Sequence, residues 1–236
     1  MESLTELERN SQYYDSYTTE QKAIAKPPQY LMRYEEHLNG LFDEKLSILE
    51  LGVFKGDSLE LFSQMFPNSH IFGVDINKCE KTFSNNRVMV YQGSQDDPSI
   101  HRRIMTENNI TRFDIIVDDC SHIGSLTFDS FCLLFPILAD GGYYVIEDWG
   151  TGYWPKWPGG SKFKLQNHLK CTRETFKSHK HGIPGFIKQL VDEVGMGDIG
   201  GSRGLKSGVS SKIKALHVYS GIVFMQKTSK TKVDTD

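Results

Sequence analysis

Short apolar runs alternate with helically spaced apolar residues along most of the chain. Runs rich in β-branched residues predict strands over 46–51, 70–74, 87–91, 113–117 and 143–146. Helical spacing or a helix-start signal predicts helices over 29–42, from about residue 57, from about residue 99, and over 123–135 and 184–194. Runs over 213–218 and 222–226 flank Tyr219-Ser220-Gly221 and predict a C-terminal antiparallel hairpin. Together these elements predict an α/β fold with a doubly wound, mostly parallel sheet of seven strands.

Pairs of acidic residues follow two of the predicted strands. Asp118 and Asp119 come after the strand at 113–117, and Glu147 and Asp148 come after the strand at 143–146. The carboxyl ends of neighbouring parallel strands meet at one edge of a sheet, so we expect the four acids to share one rim. Like charges so close repel unless a cation neutralises them, and oxygen ligands suit Mg²⁺. The alternative role for these acids is capping and turn formation.

A glycine turn between the first strand and its helix indicates a nucleoside site. The spacing from Glu50 through Gly52 to Gly56 is E-x-G-x-x-x-G, which differs from the pyrophosphate fingerprint G-x-G-x-x-G. The next strand ends at Asp75, where an acid is well placed to accept hydrogen bonds from ribose hydroxyls. The pattern therefore favours a single-nucleoside cofactor over a nicotinamide dinucleotide.

Two later stretches add candidates for binding. Ser94 and Gln95 follow the third strand and are expected at the edge of an adenine, although Ser94 and Asp97 are equally suited to helix capping. The segment 149–160 holds all three tryptophans among prolines and glycines, which is typical of a lid or binding loop. We expect the tryptophans either to stack on a flat or sugar-like substrate or to pack the loop onto the body.

Length, composition and charge suggest one soluble domain. The 236 residues divide into an N-terminal arm and helix (1–42), an α/β domain (43–227) with a lid or substrate loop over 150–182, and a disordered tail (228–236). The arm suggests no role, and its helix is expected only to cover the core. A net charge of −3 argues against nucleic-acid binding, and no apolar stretch is long enough to cross a membrane. The four cysteines form no CxxC pair, and the N-terminus does not resemble a signal peptide, so we expect a cytoplasmic setting.

Several motifs resemble those of class I S-adenosylmethionine-dependent methyltransferases, which have a Rossmann-like fold. They are Glu50 to Gly56, Asp75, and Leu138-Ala139-Asp140-Gly141-Gly142. Three further motifs resemble the metal-dependent sugar O-methyltransferases of the macrocin and mycinamicin type: D-D-x-S-H at 118–122, I-E-D at 146–148, and Leu216-His217-Val218-Tyr219. Cys120 stands where a small residue is expected in this family, and Asp140 where proline is common.

The resemblance implies an O-methyltransferase with named site residues. S-adenosylmethionine is the implied cofactor, Asp119, Glu147 and Asp148 are the implied Mg²⁺ ligands, and His122 is the implied general base. The cofactor-binding residues are predicted to be Glu50, Gly52, Gly56, Ser58, Asp75, Ser94, Gln95 and Asp118. The implied acceptor is the hydroxyl of a glycosylated small-molecule natural product, and by analogy the protein is expected to form a homo-oligomer.

Other functions remain open from the sequence. A catechol- or phenol-type O-methyltransferase needs the same metal and fold. A nicotinamide dehydrogenase is disfavoured by the glycine spacing. A nucleoside-binding protein without catalysis is the third alternative, and in it His122 would be a histidine at a helix start with no chemical role.

Overall fold

The computed structural model describes residues 26–154, 157–158, 160, 181–202 and 211–229. These residues form one sheet of seven strands in the order β3-β2-β1-β4-β5-β7-β6. The strands are β1 (Ser47–Leu51), β2 (His70–Asp75), β3 (Val88–Gln92), β4 (Phe113–Asp118), β5 (Leu138–Glu147), β6 (Ile213–Val218) and β7 (Ile222–Lys227). Strands β1 to β5 are parallel, and β7 pairs antiparallel with both β5 and β6. The predicted seven-stranded fold and its C-terminal hairpin are confirmed.

Helices cover both faces of the sheet. They are α1 (Pro28–Leu38), α2 (Asp57–Met65), α3 (Pro98–Glu107), α4 (Gly124–Leu134) and α5 (Gly182–Ser202). Buried residues of α1 and α2 pack with one apolar cluster, and those of α3, α4 and α5 pack with the other. Short 3₁₀ segments occur at Asn39–Leu41, Phe135–Ile137 and Trp149–Tyr153. Among the described helices, none combines the length and the apolar character needed to span a membrane.

The structure corrects two element boundaries. Strand β5 begins at Leu138 rather than near Tyr143, because Gly141 and Gly142 carry no apolar side chains that would reveal a strand in the sequence. Helix α5 continues to Ser202, eight residues beyond the helix predicted over 184–194, through a glycine-rich stretch that begins at Gly195. Its first turns bury Ile183, Phe186 and Leu190, so the helix is already nucleated and extension costs little.

Parts of the predicted domain plan lie outside the described residues. These are residues 1–25 of the arm, most of the 150–182 loop, and residues 230–236 of the tail. The first residue of the predicted tail is ordered by the sheet, since the N–H of Thr228 donates to the carbonyl of Lys212.

Candidate active site

A cavity of about 500 Å³ opens at the carboxyl ends of β1 to β4, within the size range of small-molecule sites. Its walls are the segments that follow these strands. They include the predicted cofactor residues Gly52, Ser58, Asp75, Ser94 and Gln95, the predicted ligand Asp119, and the predicted base His122. Glu50, Gly56, Asp118, Glu147 and Asp148 are not among the lining residues. A doubly wound sheet places ligands at this edge.

Asp75 holds the glycine turn in shape. Its Oδ2 accepts hydrogen bonds from the N–H groups of Val53 and Phe54, both at 2.9 Å, and its Oδ1 accepts one from the N–H of Asn77 at 2.8 Å. A carboxylate has about four lone-pair sites, so capacity remains for a ligand in the cavity. Asp75 therefore shapes the cavity and still has acceptor capacity for the predicted ribose hydroxyls.

The two glycines of the turn serve different contacts. Gly52 has φ +89°, and a Cβ there would lie 2.1 Å from the carbonyl oxygen of Asp119. Gly56 has φ +82° at the N-cap of α2, and a Cβ there would meet Phe83 at 2.9 Å. Gly52 thus lets the turn pack against the segment that carries Asp119.

Ser94 and Gln95 form internal contacts at the cavity wall. Gln95 is buried, its Nε2 donates to Oγ of Ser130 at 2.8 Å, and its Oε1 accepts from the N–H of Ser121 at 3.2 Å. The Ser94 hydroxyl donates to the Asp96 carboxylate. Of the two capping candidates, Asp97 caps α3 by accepting from the N–H of Ser99.

Glu50 and Ser58 form a buried pair below the cavity. The Ser58 hydroxyl donates to Oε2 of Glu50 at 2.6 Å, and Glu50 is fully buried. Burial raises the pKa of Glu50 above its ordinary value, and the ammonium of Lys26 opposes that rise. Ser58 lines the cavity, whereas Glu50 supports it from behind.

The four acids do not share one rim as predicted, because successive strand residues face opposite sides of the sheet. Asp118 is two positions after the buried Ile116, so its side chain lies on the face of the sheet that α4 covers. There Tyr144 donates to its Oδ2 at 3.4 Å. Burial and the charge of Asp119 raise the pKa of Asp118 to about 7. Glu147 is two positions after Val145, so its side chain lies on the opposite face, which α1 covers. Asp119 and Asp148, which lie just past the strand ends, both face His122, whereas Glu147 meets Asp119 through their shared contact with Lys26.

Asp119, Asp148 and His122 form a possible metal-binding group, with one ligand atom from each lying within 4.8 Å of the others. Nε2 of His122 is 3.8 Å from Oδ1 of Asp119 and 3.8 Å from Oδ2 of Asp148. His122 has φ +51°, and the indole N–H of Trp157 donates to its carbonyl oxygen at 3.1 Å. Two carboxylate oxygens and an imidazole nitrogen at this spacing fit a divalent cation, with room for further oxygen ligands.

Glu147, the third implied metal ligand, has both carboxylate oxygens engaged by protein donors. The Tyr34 hydroxyl donates to Oε1 at 2.5 Å, and Nζ of Lys26 donates to Oε2 at 3.0 Å. Burial and the charge of Asp119 raise the pKa of Glu147, which Lys26 opposes. Its role as a metal ligand stays a prediction.

Lys26 is a site residue that the sequence reasoning missed. Its Nζ donates to Oδ2 of Asp119 at 2.6 Å and also lies 3.0 Å from Oε1 of Glu50, a charge contact without hydrogen-bond geometry. Burial acts to lower the pKa of Lys26, but the charges of Asp119, Glu147 and Glu50 outweigh it and raise the pKa well above its ordinary value. The available signal was the spacing of Lys26, Tyr30 and Tyr34, which recur every four residues with polar tips.

Comparison with known proteins reveals the relationships of this chain. A model of the FtsJ-like methyltransferase family matches residues 22–134. L-olivosyl-oleandolide 3-O-methyltransferase of Streptomyces antibioticus is 40% identical over 136 residues, 54% of this chain and 34% of that protein. Mycinamicin VI 2''-O-methyltransferase of Micromonospora griseorubida is 30% identical over 203 residues, 82% of this chain and 47% of that protein. The chain is a homologue of these sugar O-methyltransferases. The resemblance inferred from its motifs is confirmed, and the chain spans about half the length of these relatives, or less.

Solved structures show the same relationship. The MycE methyltransferase from the mycinamycin biosynthetic pathway, in complex with Mg and SAH, matches with a TM-score of 0.70 and 27% identity, covering 91% of this chain and 55% of that one. A putative caffeoyl-CoA O-methyltransferase from Staphylococcus aureus matches with a TM-score of 0.51 and 14% identity, covering 96% of this chain and 93% of that one, and shows a shared fold alone.

Cys120 and Asp140, which depart from the family motifs, lie in different parts of this protein. Cys120 lines the cavity, and burial together with nearby acids raises its pKa to about 12, so it is a neutral thiol at physiological pH. Asp140 lies near the start of β5, where it pairs with Arg112 at 3.3 Å. That end of the strand is opposite the carboxyl edge, so Asp140 is remote from the site.

The three tryptophans of the segment 149–160 differ in their contacts and exposure. The Trp149 indole donates to the carbonyl of Tyr219 at 2.8 Å and ties the loop to the hairpin. The Trp157 ring centroid lies 6.0 Å from that of His122. Trp154 is 57% exposed. Trp149 therefore packs the loop onto the body, whereas Trp154 and Trp157 stay candidates for substrate contact.

Proposed function

We propose that this protein is an S-adenosylmethionine-dependent O-methyltransferase that methylates a sugar hydroxyl of a small-molecule natural product with the help of Mg²⁺. The observation that carries the proposal is the group formed by Asp119, His122 and Asp148, which adjoins the cavity lined by the glycine turn. The curated relatives support it, since they are named O-methyltransferases of glycosylated compounds.

The cofactor would occupy the cavity at the ends of β1 to β4. Gly52 and Asp75 line it at the ends of β1 and β2, and Ser94 and Gln95 line it after β3. The turn that Asp75 organises would bring backbone close to a bound cofactor, while Asp75 has acceptor capacity left for ribose hydroxyls. Asp119 and His122 line the same cavity, so a nucleoside cofactor held there would lie beside both residues.

Asp119 and Asp148 are the proposed carboxylate ligands of Mg²⁺, and Glu147 is the third implied one. When bound, the ion would act as a Lewis acid and as a template for two neighbouring acceptor oxygens. His122 lines the cavity, and its Nε2 lies 3.8 Å from a carboxylate oxygen of each aspartate, so it is placed to take the hydroxyl proton at Nε2 as methyl transfer proceeds. The acceptor's proton ends on the imidazole, which can later return it to water.

A panel of acceptors with labelled S-adenosylmethionine tests this function. We expect methyl transfer to glycosylated small molecules in Mg²⁺ and loss of transfer in excess chelator. Transfer to catechols alone would replace the sugar assignment with the catechol-type one. Cofactor binding with no transfer to any acceptor would indicate a binding protein without catalysis. Full activity in excess chelator would show that the reaction does not need a metal. A homo-oligomer is part of the proposal by analogy, and sedimentation measures it.

A further inference from the structure

The start of α1 and the residues before it lie against the metal-binding group, which gives this segment a role beyond covering the core. The Tyr30 hydroxyl donates to Oδ1 of Asp148 at 2.6 Å, although the two residues are 118 positions apart. Lys26 bonds Oδ2 of Asp119 at 2.6 Å. The Tyr34 hydroxyl bonds the carboxylate of Glu147. One short segment thus reaches all three implied metal ligands.

In each aspartate, one carboxylate oxygen faces this segment and the other faces His122. Asp119 presents Oδ2 to Lys26 and Oδ1 toward His122. Asp148 presents Oδ1 to Tyr30 and Oδ2 toward His122. A carboxylate with one oxygen held by a donor cannot rotate freely, so its other oxygen stays aimed at the position where a cation would be bound.

The three donors are held rigidly in place. The carbonyl of Pro27 accepts hydrogen bonds from the N–H groups of Tyr30 and Leu31, which anchors the start of α1 just after Lys26. The Tyr34 ring makes edge-to-face contacts with Phe62 and Phe224, at centroid distances of 5.3 and 5.2 Å. Tyr30 and Tyr34 are four residues apart within α1, which places them one helical turn apart on the same face, and Lys26 lies just before the helix.

The hairpin turn leaves room for one of these donors. Gly221 lies between β6 and β7, and a Cβ there would lie 2.0 Å from the Tyr30 hydroxyl oxygen. The turn therefore needs glycine both for its φ of +84° and for the approach of Tyr30 to Asp148. The position of the tyrosine hydroxyl depends on elements from both ends of the described chain.

We propose that Lys26, Tyr30 and Tyr34 form a carboxylate clamp, in which Lys26 and Tyr30 orient Asp119 and Asp148 for divalent-metal binding while Lys26 and Tyr34 fix Glu147 beside them. They are positioning residues, because they contact the implied ligand side chains and are not among the residues that line the cavity. The inference rests on the proposed Mg²⁺ dependence and deepens it. It makes residues 26–34 a part of the active site rather than a cover over the sheet.

Tyr30→Phe is the decisive variant, since it removes one hydroxyl and leaves the charge of the site unchanged. We expect its Mg²⁺ dissociation constant, measured by isothermal titration calorimetry in the presence of cofactor, to rise about 10-fold or more. Tyr143→Phe is the matched control, because Tyr143 is in β5 four residues before Glu147. The control is expected to bind Mg²⁺ like the wild type.

Tyr34→Phe extends the test to Glu147, which would be left with a buried oxygen lacking its donor. A reduced Mg²⁺ affinity in both tyrosine variants, with unchanged circular dichroism and unchanged cofactor affinity, supports the clamp. Wild-type Mg²⁺ affinity in a folded Tyr30→Phe protein would overturn it. Absence of Mg²⁺ binding in the wild type would instead contradict the proposed function itself, so the two failures are distinguishable.

Discussion

Nζ of Lys26 lies 2.6 Å from Oδ2 of Asp119, although 93 residues separate the two in the chain. The ammonium also contacts Glu50 and Glu147, and its side chain is 1% exposed. A buried cation among three carboxylates keeps them from repelling each other, so removing it leaves uncompensated charge in the interior.

Lys26→Met is therefore expected to lower the free energy of unfolding by about 3–5 kcal/mol. Urea denaturation in excess chelator measures this effect without any contribution from metal. Lys78→Met is the control, since the Lys78 side chain is 73% exposed and its ion pair with Glu80 is on the surface. Equal stability of the two variants would show that Lys26 does not neutralise the buried acids.

His122→Asn tests the proposed general base. Asparagine tolerates the positive φ that His122 adopts, so the local backbone is expected to persist. The rate of methyl transfer in a single turnover should fall by about 10²–10⁴-fold, while the affinity for S-adenosylmethionine stays at the wild-type value. Mg²⁺ titration of the same variant separates two roles. Unchanged Mg²⁺ affinity indicates a base, and lost affinity indicates a metal ligand. A rate within a few fold of the wild type would contradict both.

Gly52→Ala should disrupt the junction between the cofactor turn and Asp119. The added Cβ would lie 2.1 Å from the carbonyl oxygen of Asp119, at a φ that alanine rarely adopts. We expect a loss of about 2–4 kcal/mol in unfolding free energy and weaker cofactor binding. The matched control is Gly40→Ala, where a Cβ meets nothing within 4 Å. Similar thermal stability of the two variants would argue against close packing at Gly52.

His101 is expected to make the protein less stable in mild acid. Its ring is buried, and its Nε2 lies 2.8 Å from the carbonyl oxygen of Gln95. Burial is the main cause that lowers the pKa of His101 below its ordinary value. The unfolded chain therefore binds a proton near pH 6.5 that the folded protein still excludes, so stability falls as pH drops below about 6.5.

The measurement is the unfolding free energy of wild type and His101→Gln between pH 7.5 and pH 5. The wild type is expected to lose at most about 1.4 kcal/mol per pH unit through this group, and the variant should lose less over the same range. His70→Gln, at an exposed position, controls for the loss of an imidazole. A variant with the full wild-type pH dependence would assign the acid sensitivity elsewhere.

Local sequence patterns were sufficient to predict the fold, because each strand and most helices show the spacing of apolar residues that is typical of that element. The runs at 46–51 and 70–74 read as strands, and both occur within one residue of their predicted limits. Asp75 was expected at the nucleotide site and lines the cavity. The glycine-rich end of α5 was mispredicted, because its helical state depends on the packed turns before it.

The acids show how a correct local prediction can fail in three dimensions. Placing Asp118 and Glu147 at the ends of adjacent strands was correct, but the alternation of side chains directs them to opposite faces. That alternation was present in the sequence, since Ile116 precedes Asp118 by two positions and Val145 precedes Glu147 by two.

The sequence by itself determined the order of strands and helices, the glycine turn and the positions of the strand-terminal acids, because these follow from short-range periodicity and from residue chemistry. Tertiary structure alone decided which carboxylates face one another and which cation neutralises them. Lys26 reaches Asp119 only because α1 packs across the sheet on its apolar residues, and no local pattern records a contact between segments so far apart in the chain.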